Sequence, residues 1–219
     1  MTEQYFSADP SSKDVRRTLR VTLRGHEATA QVSNGVFSAS RVDLGTSVLL
    51  RHAPEPPRTG DLLDLGCGWG PIALALALES PEARVTAVDV NERALDLTRV
   101  NAEANGCANV HVTQTDESGA PLPAAGQPAG CEPVDDDAAF DAIWSNPPIR
   151  IGKEALHTLL MAWLPRLKEG GAAYLVVQRN LGSDSLIPWL ADALGDGYAV
   201  GKYASSKGFR IIEVLRNQR

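Results

Sequence analysis

The sequence is poor in the residues that build disulfides and metal centres. It has three cysteines in 219 residues: Cys67, Cys107 and Cys131. They form no C-x-x-C pair and are odd in number, which argues against a disulfide framework or a zinc site and for a reducing compartment. The four histidines, His26, His52, His111 and His157, share no ligand spacing, so no metal is expected. Long apolar runs are missing too. The longest, Pro71–Leu78, is far short of a membrane span. No signal-peptide pattern opens the chain, and the expectation is a soluble, cytoplasmic protein, monomer or homodimer, that no membrane holds. Positive charge is also short. The formal net charge is −6, which excludes a protein that coats nucleic acid indiscriminately. The deficit is local, however. Residues 118–138 carry Glu132, Asp135, Asp136 and Asp137 and no Lys or Arg; without these four, 23 acidic residues face 21 basic ones. A local RNA-binding face therefore stays open.

What the chain does have is a contiguous motif, Asp61-Leu-Leu-Asp-Leu-Gly-Cys-Gly-Trp-Gly-Pro71. An apolar run ends in alternating glycines, Gly66, Gly68 and Gly70, and Pro71 opens an alanine- and leucine-rich segment. The pattern reads as a buried strand, a tight turn and a helix with proline in its first turn. Glycines let a ligand approach the backbone closely, and a helix start offers free N–H groups to an anion. The spacing is G-x-G-x-G with Asp64 before it, not the G-x-G-x-x-G of dinucleotide folds. Asp89 ends the next strand and can accept hydrogen bonds from both ribose hydroxyls of a nucleoside. Asp116, past the third strand, either accepts from an adenine amino group or is an ordinary loop aspartate.

The rest of the chain repeats one unit. Residues 1–14 are polar and expected to be loose. Leu19, Val21 and Leu23 alternate with Arg20, Thr22 and Arg24, which predicts a half-buried strand, and a Gly25–His26 turn returns the chain along residues 28–32. Lys13, Arg16, Arg17, Arg20 and Arg24 form either a basic rim for phosphates or a solvated strand face balanced by Asp14 and Glu27. Asp43 or Thr46 caps a short helix over Val48–Leu50, and Pro54–Pro57 is a stiff linker. Strands at 62–66, 84–88, 110–114, 140–144 and 172–177 then alternate with helices at 71–79, 91–105, 153–167 and 185–194. A final pair, 198–203 and 208–215, has no helix between its strands. The pattern predicts an α/β fold with a doubly wound, mostly parallel sheet closed by an antiparallel hairpin. Residues 1–59 form a small N-terminal β-rich extension packed on the core, and 60–219 the main domain. Within it 118–138 is a mobile surface insertion that tolerates shortening.

A second motif, Ser145-Asn-Pro-Pro-Ile-Arg150, follows the fourth strand of the core. Ligands in such sheets lie at the carboxyl ends of the strands, so it faces the glycine turn. An exocyclic amine on a base is a poor nucleophile because its lone pair is delocalised into the ring. The Asn146 side-chain oxygen and the Pro147 carbonyl can each accept one N–H and leave that lone pair aimed at an electrophile. Pro147 and Pro148 stiffen the backbone that presents them. Ile149 offers an apolar face to the base.

The glycine motif resembles the first motif of class I S-adenosylmethionine-dependent methyltransferases, and Asn146–Ile149 resembles the N-P-P motif of enzymes that methylate planar amino groups. Gly35-Val-Phe-Ser38, Arg41–Thr46, Asn146–Lys153 and Val176–Gln178 are similar to the methyltransferase small domain family, including ribosomal RNA small-subunit guanine-N2 methyltransferases. The resemblance implies a Rossmann-like, seven-stranded sheet and S-adenosylmethionine held by Asp64, Gly66, Cys67, Gly68, Gly70, Asp89, Val90, Asp116, Thr46 and Asn146. It implies Asn146, Pro147, Pro148 and Ile149 as the catalytic set, with ribosomal RNA as partner. Phe37 closes the pocket on this view. Arg150 and Lys153 either hold phosphates of a flipped-out nucleotide or are solvated charges. Two other readings satisfy the same residues: a methyltransferase for a glutamine amide or small-molecule amine, and an accessory protein that binds cofactor and RNA without turnover.

Overall fold

The computed structural model describes residues 13–218, so most of the opening stretch expected to be loose lies outside the described residues. Strands β1 (Arg16–Leu23) and β2 (His26–Ser33) pair antiparallel as a separate hairpin. Their turn is Arg24–Gly25, one residue earlier than expected, with φ of 49° and 89°. Both central residues of a two-residue hairpin loop need positive φ when the loop follows the strand twist.

The basic rim expected along this hairpin is partly a set of internal fastenings. The Arg24 guanidinium pairs with Glu79 at 2.7 Å and donates to the carbonyls of Leu50, Ala53 and Pro54. Arg16 pairs with Asp14 and Asp96. Glu27 balances none of these arginines; it accepts from Thr22 across the hairpin.

Helix α1 (Leu44–His52) follows, capped by Asp43. The core then runs β3 (Thr59–Leu65), α2 (Pro71–Glu79), β4 (Glu82–Asp89), α3 (Glu92–Ala104), β5 (Val110–Gln114), β6 (Phe140–Ser145), α4 (Lys153–Trp163), β7 (Leu167–Gln178), α5 (Ser183–Leu194), β8 (Tyr198–Ser206) and β9 (Phe209–Arg216). Seven strands form one sheet in the order β5-β4-β3-β6-β7-β9-β8, parallel except where β9 pairs antiparallel with β7 and β8. The chain winds outward from β3 to β5, then returns to lay β6 on the other side of β3. The gap between the carboxyl ends of β3 and β6 is thus the topological switch point, where such sheets bind ligands.

Alternation along the central strands divides the apolar residues between two cores. Leu62, Trp144, Tyr174 and Val176 face α1, α2, α3 and the hairpin, whereas Leu63, Leu65, Ile143 and Leu175 face α4 and α5. Hairpin residues Leu23, Ala30 and Val32 belong to the first of these cores, so the extension shares its interior with the sheet.

Two boundaries differ from expectation by four residues or more, the others by three or fewer. Helix α4 stops at Trp163 because Pro165 cannot continue the ladder, and a 3₁₀ turn, Leu164–Arg166, replaces the last residues. Strand β7 starts at Leu167, not 172, since Leu167 pairs with Phe140 beyond a register shift. The insertion at 118–138 is hydrogen-bonded to the core at several points. The Gln127 side chain donates to the Gln114 and Leu122 carbonyls and accepts the Gln114 N–H. The Glu132 N–H donates to Val112 O, and the Trp163 indole N–H to Gly119 O. These bonds occupy the open edge of β5, which a bare edge strand would leave available for pairing. Among the described residues no helix is long and apolar enough to cross a membrane.

Candidate active site

A cavity of about 690 Å³ opens at the switch point. On one side are Gly66, Cys67, Gly68 and Trp69 of the glycine turn with Asp89 and Val90; on the other, Asn146–Arg150. That volume lies within the usual range for a small-molecule site.

The turn side is built from short-range geometry. The N–H groups of Gly66 and Cys67 both donate to Val88 O, fastening the turn to the end of β4. Gly70 precedes α2 at φ 89°, and a side chain there would meet Thr98 at 3.0 Å, so both backbone and space require glycine. Asp64 is fully buried, and its Oδ2 accepts the Ala73 N–H at 2.9 Å, which ties the start of α2 to β3. Its Oδ1 has no partner in the described residues. Burial, reinforced by the nearby Asp89 charge, pushes the Asp64 carboxyl up to about 8, so it is mostly neutral at pH 7. Asp64 and Gly70 line no part of the cavity; they shape the turn from behind.

Asp89 reaches the cavity. Its Oδ2 accepts the Gly68 N–H at 2.9 Å and its Oδ1 the Asn91 N–H at 3.0 Å. Burial raises its carboxyl, against those hydrogen bonds. The Val90 N–H also lies against this carboxylate; with about four lone-pair positions it still has room to accept from a hydroxyl. Asp116 also lines the cavity, but its Oδ1 is engaged by Ser118 and by the Ala120 N–H, and these bonds lower its carboxyl.

On the other side Asn146 projects from the end of β6. Its Nδ2 donates to Asp43 Oδ2 at 2.9 Å and to Thr46 Oγ1 at 3.1 Å. Pro147 O accepts the Ile149 N–H at 2.8 Å and keeps its second lone pair. Phe37 is 47% exposed and lies at the cavity wall, as does Arg150. Lys153, at the start of α4, does not line it. Trp69 is buried beneath the turn and packs rather than reacts. No cluster of three metal-binding side chains exists among the described residues.

With this geometry in view, comparison with known proteins gives a clear kinship. The methyltransferase small domain matches residues 27–213. The chain belongs to that family. Bacillus subtilis YbxB is 36% identical over 216 residues, spanning 99% of this chain and all of that protein. Ribosomal RNA small subunit methyltransferase C of Pseudomonas entomophila is 31% identical over 186 residues, 83% of this chain and 49% of that protein; the Shewanella loihica enzyme is 33% identical over 67% and 39%. The chain thus spans half or less of these methyltransferases. In shape it is similar to the Thermus thermophilus 16S rRNA N2 G1207 methyltransferase solved with AdoMet and guanosine, at TM-score 0.71 and 24% identity, covering 95% of this chain and 52% of that one. That likeness shows the fold, a class I methyltransferase sheet.

Leu181 and Phe209 are cavity residues of this family member that no motif marks, whereas Gln178 closes the Val176–Gln178 stretch that resembles the family. Gln178 at the end of β7, Leu181 after it and Phe209 at the start of β9 all line the wall. The signal for Leu181 and Phe209 was position, at the cavity ends of the paired strands β7 and β9. Asp43 lines the cavity too; it caps α1 and lies in the Arg41–Thr46 stretch, which by itself does not show that its side chain reaches the cavity.

Proposed function

We propose that this chain transfers the methyl group of S-adenosylmethionine to an exocyclic amino nitrogen, with guanine N2 of ribosomal RNA as the acceptor. The single observation that carries the reading is the forced orientation of Asn146. A carboxylate can only accept, so the amide nitrogen must face Asp43 and the amide oxygen must face away from it. That oxygen has no partner among the described residues. With the spare lone pair of Pro147 O it offers two acceptors to an NH₂ group.

The turn side fits the cofactor in kind. Asp89 suits the ribose diol, Gly66–Gly68 allow close backbone approach, and Asp116 suits an adenine amine. When bound, S-adenosylmethionine supplies a methyl carbon already made electrophilic by its sulfonium. The residues of this chain then need only position and polarise the acceptor. Asn146 Oδ1 and Pro147 O each take one N–H, which holds the nitrogen lone pair toward the turn and disperses the positive charge that develops as the N–C bond forms. The extra proton leaves to solvent. Ile149 and Phe37 supply apolar surface for the base, and Arg150 a charge for its phosphate. The ribosomal RNA methyltransferases among its relatives support RNA as the substrate class. Residues 1–59 and 60–219 act as one unit on this reading, because the acceptor side needs α1.

The test is Asn146→Ala assayed against ribosomal RNA. Turnover should fall by about 10²–10³-fold or more, the usual loss for one removed transition-state hydrogen-bonding partner. Calorimetric affinity for S-adenosylmethionine should stay near that of the wild type. Undiminished methylation would remove the mechanism.

A further inference from the structure

We infer that Asp43 is a positioning residue for Asn146, and that the N-terminal α1 cap thereby sets the aim of the acceptor site across 103 residues of sequence. The inference rests on the reading proposed above and gives Asp43, a helix cap within the Arg41–Thr46 stretch, a role at the acceptor site.

One oxygen does several things at once. Asp43 Oδ2 accepts the Gly45 N–H at 2.7 Å and the Thr46 N–H at 3.3 Å, and it also accepts Asn146 Nδ2 at 2.9 Å. The first two bonds cap α1, as many aspartates do. The third is unrelated to capping and reaches into the cavity. Thr46 Oγ1 contacts the same Nδ2, but a hydroxyl can donate or accept and would tolerate either face of the amide. Asp43 alone decides the face. Were the amide reversed, its oxygen would point at a carboxylate oxygen, and the acceptor site would offer N–H groups to an amine.

Space enforces the same arrangement. A side chain at Gly45 would approach Asp43 Oδ2 at 2.9 Å, Phe209 Cε1 at 3.0 Å and Asn146 Oδ1 at 3.2 Å. Gly45 is therefore the floor on which cap, asparagine and Phe209 meet. A substituent there would push against all three.

The experiment separates capping from aiming. Serine at an N-cap serves a helix about as well as aspartate, but it is too short to reach Asn146. Asparagine keeps an oxygen at the right reach and cannot take up a proton at neutral pH. In the full-length protein, Asp43→Ser should lower kcat for ribosomal RNA methylation about 100-fold, the scale of a misaligned reacting group, with little change in melting temperature or in affinity for S-adenosylmethionine. Asp43→Asn should restore most of that loss. In parallel, the side-chain amide resonances of Asn146 in ¹⁵N-labelled protein should shift and exchange faster with solvent in the serine variant than in the wild type.

Three results would overturn the inference: a serine variant with kcat close to wild type, an asparagine variant as impaired as the serine one, or Asn146 resonances unmoved by Asp43→Ser. The second would assign Asp43 a charge or base role instead. Should the wild type fail to methylate RNA at all, the proposed function falls, while the resonance measurement still decides whether Asp43 holds Asn146.

Discussion

The two walls of the cavity are made differently. The turn wall comes from neighbours in sequence: Gly66–Gly70, the end of β4 at Val88 and Asp89, and the first turn of α2. The acceptor wall is gathered from four separate places, at Asp43, Asn146, Gln178 and Phe209. Local geometry fixes the first wall, so its glycines and acids appear as a legible motif. The second exists only when the extension, β6 and the last hairpin have all docked. A site that must grip a constant cofactor and a variable acceptor gains from this division. The grip is stiff, and the partner side can be re-aimed by distant residues.

The largest effect that should sharpen this contrast is on the turn wall. Asp89→Ala removes the acceptors for a ribose diol and orphans the N–H groups of Gly68 and Asn91. Hydrogen bonds to a charged group are worth about 1.5–3 kcal/mol each, so affinity for S-adenosylmethionine should fall at least about 100-fold in calorimetry. Turnover at saturating cofactor should fall much less. If kcat collapsed with affinity intact, the walls would not be separable in this way.

Next comes the joint between them. Asn101 is fully buried; its Nδ2 donates to Gln31 O and Trp69 O, and its Oδ1 accepts the Gln31 N–H. It thus ties the hairpin to the glycine turn through α3. Asn101→Ala would strand buried backbone groups on both elements and should cost about 2–3 kcal/mol in denaturant unfolding. A loss below about 0.5 kcal/mol would show that the hairpin docks by its apolar face alone.

The same contrast explains what the sequence could and could not reveal. Helix α2 and strand β5 fall at the residues expected of them, because each is a short apolar element beside strong punctuation, Pro71 in one case and Gly106 before the other. The Asn146 motif was legible since Pro147 and Pro148 constrain the backbone locally. Asp43 was not, because its carboxylate has an ordinary local duty, and nothing in its neighbourhood points to a partner 103 residues away. The contacts of the insertion were not legible for a related reason. Its Pro, Gly and acidic residues signal looseness, whereas its anchors, Gln127 and Glu132, bond to strand groups that composition does not register.

A smaller effect separates Asp64 from Asp89 within the turn wall. The folded carboxyl of Asp64 is raised from 3.8 to about 8, so the native state holds a proton that the unfolded chain releases. Its contribution to stability is full below about pH 4 and is lost as pH rises toward 8, beyond which it is flat. Between pH 6 and 8 the wild type should therefore lose up to about 2 kcal/mol that Asp64→Asn does not lose. Melting curves of the two proteins across that window give the comparison. Parallel curves would mean that Asp64 is ionised in the folded protein.

The smallest effect tests the edge of the sheet, far from the acceptor wall. Gln127 makes two hydrogen bonds to Gln114 of β5 and one within the insertion, to the Leu122 carbonyl, but the site is only half-buried, and water can replace part of what is lost. Gln127→Ala should cost about 1 kcal/mol in unfolding, leave kcat unchanged and speed amide exchange at Gln114 and Leu122. The cofactor side feels this edge through Gln114, whose Nε2 donates to the carbonyl of Val90 on the cavity wall. Affinity for S-adenosylmethionine should accordingly slip by a factor of about two or three, since a few tenths of a kcal/mol is what a loosened second contact transmits. An affinity loss as large as that of Asp89→Ala would mean that the insertion itself forms part of the cofactor grip, and the turn wall would then be no more local in origin than the acceptor wall.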